Sequence, residues 1–196
     1  MIYLIDSGHG GIVNGKYVTA PAKMYTHPGC PPFYEGVSNR VIKKKLFERL
    51  DKRSINYFDL CPTENDISLT ERVANANKYS KKYGKQNCIV ISLHSNSGGG
   101  TGFEIFTSPG FTMADNYAID FVKIFREIFP KIVLRMDLSD QDPDKEAEFT
   151  MLTGPASPAI LPEFLFYDNY KDYKMLVDPI VINRYVDVLE KFCLTH

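Results

Sequence analysis

Cys88-Ile89-Val90-Ile91-Ser92-Leu93-His94-Ser95-Asn96-Ser97-Gly98-Gly99-Gly100 is the stretch from which the rest of the chain can be read. Cys88 to Leu93 is a short apolar run of strand length, and the small, turn-forming residues after His94 end it. Near the N-terminus, Ile2-Tyr3-Leu4-Ile5-Asp6-Ser7-Gly8 runs into His9 and then opens Gly10-Gly11 in the same manner. Both runs are expected as buried strands, so each imidazole is delivered to a strand's C-terminal end. In an open α/β sheet that edge is where ligands bind. His27 and the terminal His196 are the only other histidines. The arrangement suggests a metal centre.

The segments between and after these runs set the fold class. Glu35 to about Lys52 is amphipathic, with Val37, Val41, Leu46, Phe47 and Leu50 set among Arg40, Lys43, Lys44, Lys45 and Arg49. Ile55 to Leu60 reads as a strand that Pro62 breaks. Asp66 or Ser68 caps a helix from Leu69 to about Lys82, which Gly84 closes. Strand-helix-strand-helix-strand in this order predicts a parallel sheet with right-handed crossovers.

Beyond it, Gly102–Thr107 is expected as a fourth strand, Met113 to about Ile128 as a helix stopped before Pro130, and Leu138–Glu148 as an acidic loop. Glu148–Leu152 and Ala159–Phe166 are expected as two more strands, and about Val181–Phe192 as a closing helix. The fold expected is one α/β domain over residues 1–196. Its twisted, mostly parallel (mixed) sheet has about six strands, flanked by helices on both faces. Gly10–Tyr34, rich in glycine, proline and tyrosine, is either a functional lid or binding loop or a solvated insertion.

Composition narrows the function classes. With 44% hydrophobic and 24% charged residues, the 196-residue chain has the make-up of a globular protein with one core. A net charge of -1 gives no electrostatic footprint for nucleic acid or an anionic membrane. No stretch approaches the ~20 apolar residues of a membrane span. Cys30, Cys61, Cys88 and Cys193 form no C-x-x-C pair, so neither a zinc knuckle nor a redox motif is indicated. A monomer without nucleic-acid or membrane partners is expected.

Catalytic zinc takes neutral imidazole nitrogens, often with one carboxylate, and leaves a fourth position open. His9 and His94 would supply two ligands. Glu35 suits the third, because it starts the helix after the first strand, and crossover helices begin at that edge of the sheet. A glutamate in a first helical turn is also favoured by the helix dipole alone, and a histidine after a buried strand can be a plain hydrogen-bonded structural residue. Gly8-His9-Gly10-Gly11 could cradle a phosphate, although it lacks the lysine of a P-loop and the spacing of G-x-G-x-x-G. Glu163 is a lone acid in the apolar run Pro158–Phe166. Burial of an unpartnered carboxylate is costly, so Glu163 is expected to be paired, close to a metal, or catalytic, unless it is an exposed strand end.

Asp6-Ser7-Gly8-His9-Gly10-Gly11, Glu35 with Asn39, and Ser92-Leu93-His94-Ser95-Asn96 resemble the zinc-binding blocks of N-acetylmuramoyl-L-alanine amidases of the amidase-3 type. Asp66 through Leu69, Arg72 and Ala76-Asn77 resemble the family's helix entry, and Pro158 through Asn169 its last block. Leu165, where the family usually has glycine, and Pro162 depart from that block.

The resemblance implies a zinc amidase catalytic domain, Zn²⁺ held by His9, Glu35 and His94, and Glu163 as catalytic acid/base. The substrate it implies is peptidoglycan, at the amide between N-acetylmuramic acid and L-alanine. Asp6 would orient a liganding imidazole through its far nitrogen, and aromatic residues such as Tyr25 and Phe33 would stack on sugar rings. The N-terminus enters a strand without a basic leader or cleavable apolar segment. Synthesis in the cytoplasm and action on the cell wall are therefore expected, as a phage endolysin released by a holin or as the mature form of an exported enzyme. A zinc carboxypeptidase of related fold, with Arg72 or Arg135 as carboxylate clamp, and a non-catalytic wall-binding domain are the alternatives.

Overall fold

The computed structural model describes residues 1–139 and 141–196. In its N-terminal half lie β1 (Ile2–Ser7), β2 (Ile12–Val13), β3 (Lys16–Tyr17), β4 (Met24–Tyr25), β5 (Phe33–Tyr34), α1 (Glu35–Lys52), β6 (Tyr57–Asp59) and α2 (Leu69–Tyr83). Then follow β7 (Cys88–Asn96), β8 (Phe103–Thr107), α3 (Met113–Ile128), β9 (Lys145–Glu146), α4 (Thr150–Thr153), β10 (Ala159–Phe166), α5 (Tyr170–Leu176) and α6 (Pro179–Thr195).

Six strands form one sheet in the order β6-β1-β7-β10-β8-β9. β6, β1, β7 and β10 run parallel, β8 is antiparallel to β10, and β9 is parallel to β8. The expected mixed, mostly parallel sheet is therefore present. Alternation along the strands divides the core between its two faces. Tyr3, Ile5, Ile89 and Ile91 pack with α1, α3 and α6 residues such as Leu46, Phe121 and Leu189. Leu4, Val90 and Leu161 point the other way, onto Ala76 of α2 and Met151 and Leu152 of α4. Helices thus cover both faces, and none among the described residues is long and apolar enough to cross a membrane.

The cap of α2 is settled in favour of Ser68, whose Oγ accepts from Glu71 N at 3.2 Å, while Asp66 turns to Arg72. Two expectations need correction. Residues 148–152 are not a strand: Phe149 is the N-cap of the short helix α4, which packs Met151 and Leu152 under the sheet. The sheet's last strand lies instead at Lys145–Glu146, within the segment expected as an acidic loop, where it pairs with Phe106 and Thr107. A two-residue pairing carries too little periodicity to be read from sequence. Residue 140 of that segment lies outside the described residues. The Gly10–Tyr34 segment is held by two small hairpins, β2-β3 and β4-β5.

β10 carries an irregularity. Its register with β7 shifts between Glu163 and Phe166, and Leu165 takes φ 63° while only 1% exposed. That left-handed conformation is where glycine is unstrained, so Leu165 holds a backbone that costs a residue with a Cβ.

Candidate metal centre

β1 ends at Ser7, yet Gly8 N still donates to Leu93 O at 3.0 Å, so the β1–β7 ladder holds the chain up to the turn. His9 then takes φ 66°, a strained conformation for a residue with a Cβ. Its carbonyl is gripped from two sides, by Arg40 Nη1 at 2.8 Å and Arg72 Nη2 at 3.2 Å. Gly8 is needed for a different reason. A Cβ there would lie 2.2 Å from Cε1 of the His94 ring. Gly36 likewise lets α1 approach the turn, since a Cβ would stand 1.9 Å from Gly10 O.

Glu35, first residue of α1 and 2% exposed, brings its carboxylate between the two rings. Its Oε1 accepts from Ser95 N at 3.1 Å, lies 3.0 Å from His94 Nδ1, and is 3.3 Å from His9 Nε2. One ligand atom from each of the three residues lies within 4.8 Å of the others, the one such cluster of His, Cys, Asp and Glu among the described residues. Donors of a tetrahedral zinc with bonds of about 2.0–2.1 Å stand roughly 3.3 Å apart. The donor types, and the 3.0 and 3.3 Å separations of Glu35 Oε1 from the two ring nitrogens, suit a zinc ion. Burial opposes ionisation of Glu35, but hydrogen bonds from His9 and His94 hold its carboxyl down at about 2, so it is a ready anionic ligand.

Glu163 sits in β10 opposite His94 of β7 on one side and Glu104 of β8 on the other. Its Oε2 is buried with no hydrogen-bond partner among the described residues. Burial pushes its carboxyl up to about 8, against the pull of the His94 ring and of Lys23 and with the repulsion of Glu35 and Glu104. His9, Glu35, His94 and Glu163 all line one cavity of about 380 Å³, together with Lys23 and Tyr167. A second cavity of about 310 Å³ adjoins it and shares His9, Lys23, Leu69 and His94. The four residues expected to act together are therefore brought together from the turn after β1, α1, β7 and β10.

Asp6 does not have the place expected for it. Its carboxylate accepts from Arg72 Nη1 at 2.6 Å, Ser92 Oγ at 2.6 Å and Cys61 Sγ at 3.0 Å rather than holding an imidazole. It acts one step further out, fixing the arginine that holds the His9 carbonyl. Arg72 is not free to clamp a terminal carboxylate, and Arg135 does not line the cavity that holds Glu163. Arg72 commits all five of its N–H donors, to Asp6, Ser7 O, His9 O, Asp66 and Ile67 O. Arg135 donates to Glu104 at 2.9 Å and lies over the Phe166 ring. Phe33 is not available to a sugar either: it is buried and stacked 5.4 Å from Tyr167. Tyr25 is exposed but leans on His27 at 4.7 Å.

Sequence reasoning passed over Glu104 and Lys23, and gave Asn96 no role beyond its place in the His94 block. Glu104 is buried and joined to Arg135, Lys145 and Asn96 Nδ2, and it fixes the amide of Asn96 at the cavity wall. Like Glu163, it is a lone acid in an apolar strand, so the same signal was present. Lys23 lies in a loop with no periodicity, and nothing in its surroundings along the chain marks it.

Residues 4–189 match the family described as N-acetylmuramoyl-L-alanine amidase (Amidase_3). Among curated proteins, N-acetylmuramoyl-L-alanine amidase CwlM of Bacillus licheniformis is 33% identical over 115 residues, 58% of this chain and 40% of that protein. The sporulation-specific N-acetylmuramoyl-L-alanine amidase of Bacillus subtilis (strain 168) is 28% identical over 180 residues, 88% of this chain and 58% of that protein. The match thus spans roughly half the length of these relatives. Among solved structures, an N-acetylmuramoyl-L-alanine amidase from Clostridium difficile 630 superposes with a TM-score of 0.76 at 22% identity, covering 99% of this chain and 95% of that one. The catalytic domain of CwlV from Bacillus (Paenibacillus) polymyxa var. colistinus gives 0.71 at 20% identity, covering 99% and 96%.

Proposed function

This chain belongs to the N-acetylmuramoyl-L-alanine amidase (Amidase_3) family, and from that premise we propose that it hydrolyses the amide joining the lactyl group of N-acetylmuramic acid to L-alanine in peptidoglycan. His9, Glu35 and His94 hold a zinc ion in this reading. Zinc bound there supplies a Lewis acid for the scissile carbonyl and lowers the pKa of water toward ~7. The protein's own part is proton transfer and positioning. Glu163 takes the proton from the attacking water and hands it to the departing alanine amine as the C–N bond breaks. Ser95 N–H and the two rings keep the Glu35 carboxylate in place, and Arg40 and Arg72 keep the His9 turn from relaxing.

The observation that carries this reading is Glu163. A carboxyl buried without a partner on Oε2, in the same cavity as two imidazoles and a carboxylate, is poised near neutrality as a proton carrier requires. A module that only bound the wall would have no use for so costly a group. The committed donors of Arg72 argue against a carboxypeptidase built on it, and Arg135 stands outside the lining of the cavity that holds Glu163.

The test is digestion of purified muropeptides with and without a chelator, read by mass spectrometry. New L-alanine N-termini that vanish on chelation and return with zinc are expected. Release of free C-terminal amino acids, or digestion indifferent to chelation, would overturn the assignment.

A further inference from the structure

Lys23 is a cation of the cavity walls whose ammonium has no hydrogen-bond or ion-pair partner among the described residues, although its charge acts on the Glu163 carboxyl through space. It is half-buried and lines both cavities, at the junction where His9 and His94 also stand. Its backbone is fixed to the catalytic scaffold: Lys23 O accepts from Glu35 N at 3.0 Å and from the Tyr17 hydroxyl at 3.2 Å. The loop therefore presents this side chain at a set distance from the residue whose carboxylate lies between the rings. Nearby cations are otherwise engaged. Arg72 commits every donor, and Arg40 donates to Thr63 O, His9 O and Gly36 O. No ion pair or hydrogen bond engages the Lys23 ammonium among the described residues.

The acids around it make that ammonium matter. Glu35, Glu148 and Glu163 line the same cavity. With Glu35 answered by the proposed zinc and Glu163 held largely protonated near neutrality, Glu148 still disfavours an anionic substrate group there unless a cation receives it. An unpaired, half-buried ammonium with three donors on a flexible stem suits a carboxylate well. On the substrate proposed above, the scissile nitrogen belongs to L-alanine, and the next residue carries the first carboxylate of the leaving peptide. That group lies about 7 Å along an extended chain from the scissile nitrogen, a span a lysine at the cavity junction can serve.

We infer that Lys23 is a specificity residue that binds the α-carboxylate of the second stem-peptide residue, so that the enzyme prefers acidic stem peptides over those whose carboxylate is amidated. The inference rests on the amidase reading and deepens it.

The experiment measures kcat/KM on two muropeptides that differ only at the second residue, one with an α-carboxylate (D-glutamate) and one with an α-carboxamide (D-isoglutamine). Wild type, Lys23→Met and Lys23→Arg are compared, with zinc content checked for each. The expected result is a wild-type preference for the acid of about tenfold, the scale of one charge-assisted hydrogen bond. Lys23→Met brings that ratio close to one, Lys23→Arg keeps most of it, and added salt lowers it in wild type.

A wild-type enzyme that cleaves both substrates equally overturns the inference. So does a Lys23→Met variant that slows both by the same factor, because Lys23 then serves Glu163 or the metal centre instead. Both of these outcomes leave the amidase assignment standing. Cleavage of neither substrate, or at another bond, removes that assignment and the inference with it.

Discussion

Gly8→Ala tests the metal centre through a residue that is not a ligand. The backbone at Gly8 does not have the positive φ that strains side-chain-bearing residues, so the added methyl acts by its bulk alone. The new Cβ would stand 2.2 Å from Cε1, 2.4 Å from Nε2 and 2.7 Å from Nδ1 of His94, where ordinary contact begins at 3.4 Å. The ring has to retreat by about 1.2 Å. Metal–ligand distances tolerate only about 0.2 Å, so His94 leaves the ligand set. Loss of outer partners to a ligand costs roughly 10–100-fold in metal affinity, and loss of the ligand itself should exceed a hundredfold.

The fold should survive, because the His94 side chain is 15% exposed and borders the cavity into which it can swing. Zinc titration of the purified variant against a competing chelator, beside circular dichroism, reads both quantities. A Gly8→Ala protein that binds one zinc with wild-type affinity would refute the placement of His94 against the β1 turn, and with it the three-ligand centre.

Other expectations follow from the same geometry. Glu163→Gln should lower kcat by about 10²–10⁴-fold, the range of a general acid/base, while zinc stoichiometry stays at wild type; mass-spectrometric rates together with elemental analysis decide it. Zinc at a hundredfold excess over its Kd should add about 2.7 kcal/mol to folding stability, read as a rise in Tm, and Glu35→Ala should abolish the rise.

Burial opposes ionisation of Asp6, yet Arg72 beside it, with the Cys61 and Ser92 hydrogen bonds, holds its carboxyl below the usual range. A depressed folded value means that the stabilisation is whole well above the unfolded aspartate value of ~3.9 and is lost as pH falls through the folded value. Asp6→Asn should flatten this acid limb and lower stability at neutral pH by about 3 kcal/mol, because it strands a buried guanidinium; urea titrations at pH 3–7 measure both effects. Leu165→Gly would relieve a left-handed backbone worth ~1–2 kcal/mol but empty a fully buried position worth ~2.7–5 kcal/mol. Net destabilisation is expected in thermal unfolding, and a more stable variant would contradict the packing described for β10.

The strand that leads to His9, the strand that carries His94, the helix that begins at Glu35, and the oddity of Glu163 as an acid in an apolar strand were all legible in the chain. Each depends on local causes: an apolar run of strand length, an amphipathic repeat, an acid in an apolar strand. Hydrophobic alternation also decides which face each residue of β1 and β7 covers, so the layering of the sheet is implied by the sequence as well. The α4 segment misled because four residues of helix carry no period, and its apolar pair Met151-Leu152 suits a strand equally well.

Tertiary structure alone decided the rest, because contacts across the fold are not encoded in neighbouring residues. Asp6 found Arg72, 66 positions away, rather than a histidine. Phe33 found Tyr167 rather than a sugar. Lys23 found no hydrogen-bond or ion-pair partner for its ammonium among the described residues, only the more distant charge of Glu163. The sequence marked the groups proposed to hold a metal and carry a proton; only the folded chain determined which charges were already answered, and so which cation the proposal assigns to a ligand.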